Sequence, residues 1–85
     1  MEFLIKEYIK KITEQDINNF AHKEGITLTN YELQTIYVYI KNYVDVFLHD
    51  DSTYLFEELK EKLQPNTYNK LVELYNKYKK YIPNK

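Results

Sequence analysis

The chain has no cysteine and no arginine, and only one glycine and two prolines in 85 residues. Each shortage closes something off. Without cysteine, neither a disulfide nor a thiolate zinc site can form, and the redox compartment is left open. Without arginine, all 12 basic side chains are lysines. The bidentate recognition of guanine or phosphate that arginine supplies is then reduced to point charges. So little glycine and proline leaves no room for a turn-rich β fold and no glycine loop to cradle a phosphate. Long apolar runs are missing too. The longest near the start is Phe3-Leu4-Ile5, held between Glu2 and Lys6, which is neither a signal peptide nor a membrane span. A bacterial-type cytoplasm is the expected location. A formal net charge of −1 adds no nucleic-acid footprint.

What is present centres on residues 29–48, TNYELQTIYVYIKNYVDVFL. Thr29 and Glu32 have the spacing of a capping box, and Leu28 with Leu33 that of a hydrophobic staple. Leu33, Ile36, Tyr37, Ile40, Val44, Phe47 and Leu48 then recur at helical spacing. Tyr39, Tyr43 and Val46 fall outside this stripe, so the segment is apolar nearly all round. Such a helix is buried on more than one side, by its own chain or by a partner. Its far end has two readings. Helical spacing continues to Leu48, whereas the β-branched and aromatic run Tyr43–Phe47 and a C-cap at Asn42 argue for an earlier stop.

Around it the spacing predicts shorter helices. Residues 2–12 present Phe3/Leu4, Ile5, Tyr8, Ile9 and Ile12 on one face, with Glu2–Lys6 and Glu7–Lys11 as i,i+4 pairs. Thr13 and Asp16 cap a second helix to Glu24, with Ile17, Phe20 and Ala21 inward. Gly25 ends it in a left-handed cap, followed by the apolar Ile26. Asp51 or Ser52 caps a fourth helix to Leu63, carrying Leu55, Phe56, Leu59 and Leu63 inward and a Glu58–Lys62 pair. Gln64-Pro65-Asn66 breaks the chain, and Asn66 or Thr67 caps a last helix to Tyr81. Its stripe is Tyr68, Leu71, Val72, Tyr75, Tyr78 and Ile82; Pro83 forbids continuation.

Read in this order, the chain resembles the YqfT-like proteins, short helical proteins of unknown function from low-GC Gram-positive bacteria. The likeness lies in the Thr13 cap, the helix ending at Gly25-Ile26, and the Leu28-Thr29 opening. It extends to the segment Lys41-Asn42-Tyr43-Val44-Asp45-Val46-Phe47 and to a final helix with Leu71 and Leu74-Tyr75. The resemblance implies a third helix broken at Lys-Asn, near Asn42. It brings no catalytic residue. This chain departs from the pattern by one extra residue in that segment and by having no glycine before Lys41.

Candidate chemistry is sparse. His49, Asp50 and Asp51 sketch a metal or hydrolytic site, but without ligand spacing or a second histidine, and a solvated turn with a helix cap explains them. Glu57, Glu58 and Glu61 are interleaved with Lys60 and Lys62, as on a solvated face. Phe20–Ile26 has a faint helix-turn-helix look, yet the following helix opens on Glu32, where a phosphate backbone would approach. From Tyr54 onward seven lysines oppose four glutamates, +3 against −4 for the rest. Lys77, Tyr78, Lys79, Lys80 and Tyr81 interleave basic and aromatic side chains, a composition that also suits inward-packed tyrosines and lysines at a helix C-terminus.

The expectation is a single all-α domain over residues 1–85, a compact orthogonal bundle of four to five short helices. The third should be buried most, with Phe20, Ile36, Ile40, Leu59 and Leu71 in the core. The expected function is a non-enzymatic protein–protein interaction module that self-associates through Tyr39, Tyr43 and Val46. The alternative is weak nucleic-acid binding through the Lys/Tyr helix. No cofactor, metal, membrane or small-molecule ligand is implied.

Overall fold

A computed structural model describes residues 2–49 and 51–78. Among the described residues there are six helices and no strand: α1 Glu2–Lys11, α2 Glu14–Lys23, α3 Asn30–Asn42, α4 Val44–His49, α5 Thr53–Lys62 and α6 Pro65–Tyr78. The fold is all-α, with one helix more than the four or five expected. The extra one arises at Tyr43. Its backbone turns to φ −121°, ψ 24° while its N–H still bonds the Tyr39 carbonyl, which ends α3. The Tyr43 carbonyl then accepts the Phe47 N–H at 3.0 Å, which starts α4. The break lies at Asn42–Tyr43, and the β-branched run beyond it is helical. Packing overrides its intrinsic preference for strand, since Phe47 sits against the core.

Most helix ends obey local hydrogen bonding. Both capping boxes form: Thr13 with Asp16 at the head of α2, and Thr29 with Glu32 at the head of α3. Gly25 has φ 84°. The Ile26 N–H reaches the Ala21 carbonyl and the Gly25 N–H that of His22, which is a Schellman ending. Ahead of α5, Asp51 Oδ1 accepts from the Thr53 N–H at 3.0 Å and from its hydroxyl at 2.6 Å; Ser52 makes no side-chain cap. Two expectations at the next junction are corrected. Pro65 opens α6 rather than breaking the chain, and neither Asn66 nor Thr67 caps it. The Gln64 carbonyl takes the Tyr68 N–H instead. Proline suits a first helical position, where its missing N–H would have had no partner.

The centre also shifts. α3 packs against α1, α2 and α4, while α5 pairs with α6. Yet the most deeply buried apolar side chains are Leu55 and Leu59 on α5, joined by Leu63, with Ile17 and Ile36 from α2 and α3. Along its length α3 is nevertheless more covered than α5, most of whose residues face solvent, so α5 contributes the deepest side chains and α3 the broader buried face. Fully burying a leucine is worth roughly 1.5–3 kcal/mol, so a large share of the apolar stabilisation sits on α5. Ile40 and Leu71 are half-buried against this cluster. Phe20, expected inside, is 43% exposed. The inner face expected of residues 2–12 is split: Ile12, just past α1, packs on the core, whereas Leu4 and Tyr8 face solvent. Glu7 pairs with Lys10 rather than Lys11, Lys6 reaches Asp45 of α4 at 2.7 Å, and the Glu2 side chain of the expected Glu2–Lys6 pair lies outside the described residues. Lys41 closes the end of α1 by donating to the Lys10 carbonyl at 2.7 Å.

Candidate interaction groove

The strip Tyr39, Tyr43, Val46 divides once folded. Tyr39 packs on the core and its hydroxyl donates to Glu58 Oε1 at 2.6 Å. That hydrogen bond, followed by burial and the Glu58 charge, pushes the Tyr39 phenol up to about 12. Glu58 therefore serves Tyr39 rather than Lys62. The Tyr43 ring lies 5.5 Å from that of Tyr39 and is exposed at its edge, whereas Val46 is half-buried. The structure brings the two tyrosines together as a pair that belongs partly to the core.

A larger apolar surface, which Tyr39 also lines, lies between the helices. A groove of about 430 Å³ opens to solvent, and its lining comes from all six helices and is nearly all carbon. Tyr8 and Phe20 stand on its margin, Ile12 and Ile40 lie further in, and Leu71 and Leu74 line it from α6. The Cα radius of gyration is 12.3 Å, close to the ~12 Å expected of a compact chain this long. The groove is thus a local gap between packed helices, not the result of an open chain. Its few charged groups are Asp16 and Glu24, contributed by α2 and its C-cap, and Lys70 of α6. Sequence reasoning missed this feature. Phe20, Leu71 and Tyr8 were all read as facing inward; Leu71 is half-buried, but Phe20 and Tyr8 are exposed while still lining the groove, because periodicity says nothing of how far apart the facing helices stand.

At one end the groove meets an aromatic cluster. Phe47, Phe56 and Tyr75 have ring centroids 5.0 to 6.2 Å apart, and the Tyr75 hydroxyl donates to the Phe47 carbonyl at 3.2 Å. The buried Ser52 hydroxyl lies 3.4 Å from that of Tyr75. This ties α4, α5 and α6 into one wall. Glu32, which does not line the groove, is buried at only 2% exposure. It accepts from the Thr29 N–H at 3.2 Å and from the Gln64 N–H at 2.9 Å. Among the described residues no three His, Cys, Asp or Glu side chains are gathered to hold a metal ion.

The remaining sequence candidates fall largely outside the described residues. Lys77 is exposed on α6, but the Tyr78 side chain and Lys79, Lys80 and Tyr81 lie outside them, as do the His49 side chain and Asp50. No helix among the described residues is long and apolar enough to cross a membrane.

Among the described residues, six short helices surround an open, carbon-lined groove, the make-up of a small all-α protein. By sequence the chain belongs to the DUF2624 family, proteins of unknown function, whose profile matches residues 1–79. No curated protein and no solved structure matches it.

Proposed function

We propose that this protein is a non-enzymatic interaction module that self-associates. The resemblance to the YqfT-like proteins adds the setting, the cytoplasm of a low-GC Gram-positive bacterium. The observation that carries the reading is the groove: an open apolar gap of about 430 Å³ with Tyr8 and Phe20 on its margin. Apolar surface left in water forgoes roughly 25 cal/mol per Å², so a surface that covers it is favoured. A chain of this size has a small core, and small domains commonly add disulfides, metals or oligomerisation. Cysteine is lacking here, and a second copy is a cover always at hand.

Sedimentation equilibrium over a wide concentration range tests the proposal. A monomer–dimer equilibrium is expected; a strict monomer at the highest concentration rejects it. The non-enzymatic part rests on the lack of a nucleophile–base pair in the sequence. A turnover abolished by His49→Ala or Asp50→Ala would overturn it.

A further inference from the structure

Resting on the self-association reading, we propose that the groove is filled by the Leu4–Tyr8 ridge on α1 of a second copy. Leu4 and Tyr8 are 66% and 63% exposed and lie at i,i+4, so they form one apolar ridge on α1. The same helix turns Ile9 into its own groove, and Ile12 just past its end follows. The chain therefore carries both a helical apolar ridge and an apolar groove, each facing water. An amphipathic helix laid in a groove, read through anchors at i and i+4, is a recurring recognition mode.

Placement decides between a closed pair and an open chain. Tyr8 belongs to the ridge and also to the groove margin, so ridge and groove adjoin on one face of the molecule. A two-fold axis through such a face seats each ridge in the other copy's groove and closes at two. Ridge and groove on opposite faces would have propagated instead. Charge sets the direction. Lys11, exposed at i+7 from Leu4, continues the ridge, and Asp16 and Glu24 are the acidic groups of the groove. A ridge entering with Lys11 toward Glu24 pairs opposite charges twice, once in each half.

The test uses the full chain in sedimentation equilibrium, with circular dichroism to show that each variant folds. Leu4→Lys and Tyr8→Ser should each raise the dimer dissociation constant at least tenfold, because central aromatic and aliphatic anchors dominate such contacts. Both side chains are exposed in the monomer, so its fold is expected to survive. Val38→Ser and Tyr31→Ser, at exposed positions of α3 away from the groove, should leave the constant unchanged. Lys11→Glu should weaken the dimer several-fold, and the added Glu24→Lys should restore it. A dimer indifferent to Leu4→Lys and Tyr8→Ser overturns the ridge while self-association stands. A monomer at all concentrations overturns both. Failure of Glu24→Lys to rescue Lys11→Glu overturns the orientation.

Discussion

Glu32 shows how one side chain can hold two helix ends. One carboxylate oxygen closes the capping box of α3, and the other takes the Gln64 N–H ahead of α6. Charge-assisted hydrogen bonds are worth roughly 1.5–3 kcal/mol, and a buried N–H left without a partner costs a similar amount. Glu32→Ala should therefore lower unfolding free energy by about 3 kcal/mol, with Glu32→Gln losing less. The exposed cap offers a control: Thr13→Ala should cost about 1 kcal/mol. Equal urea midpoints for Glu32→Ala and Thr13→Ala would remove Glu32 from this role. Tyr39 supplies a pH signature. Its phenol is raised from 10.0 to about 12 by its hydrogen bond to Glu58. Between those values the folded chain keeps a proton that the unfolded chain has lost. The contribution is therefore full below pH 10 and declines toward pH 12. In paired denaturation curves, the stability difference between wild type and Tyr39→Phe should be constant below pH 10 and fall above it. A flat difference across the window refutes the assignment.

Among the elements, α5 carries the two most deeply buried apolar side chains, Leu55 and Leu59, which sets an order of sensitivity. Leu59→Ala should cost about 2–5 kcal/mol, the range for truncating a buried leucine. Ile40→Ala, on the more central-looking α3, should cost less because Ile40 is only half-buried. Reversal of that order in guanidinium titrations would place the deepest packing on α3 instead. The α2 ending depends on backbone rather than packing. Gly25 has φ 84°, and an added Cβ would meet nothing within 4 Å. The expected loss for Gly25→Ala is the left-handed conformational penalty alone, about 1–2 kcal/mol, and smaller for Gly25→Asn. A thermal midpoint unchanged by Gly25→Ala would contradict the Schellman ending.

The whole molecule combines a small leucine-centred core with a groove that remains open. Self-association couples to folding by mass action, since a dimer that binds only folded chains raises apparent stability with concentration. The thermal midpoint should accordingly rise as the protein is concentrated and fall on dilution. Leu4→Lys should flatten that dependence while leaving the dilute-limit midpoint in place. A midpoint independent of concentration in the wild type argues against the dimer as firmly as sedimentation would.

Helix class and most helix boundaries were determined by the sequence alone, because they rest on interactions within three or four residues. Thr13 with Asp16, Thr29 with Glu32 and the turn at Gly25 each complete their hydrogen bonds locally. The stop near Asn42 was legible only as one of two readings, since helical spacing and β-branched composition disagreed there. Tertiary structure alone decided what covers each apolar face. Phe20, Leu4 and Tyr8 have the periodicity of core residues, but burial depends on where distant helices stand. The second bond of Glu32 spans 32 residues, and Lys6 reaches Asp45 on another helix. The groove is the largest consequence: each of its walls was readable as an amphipathic stripe, and the space between them exists only once six helices have packed.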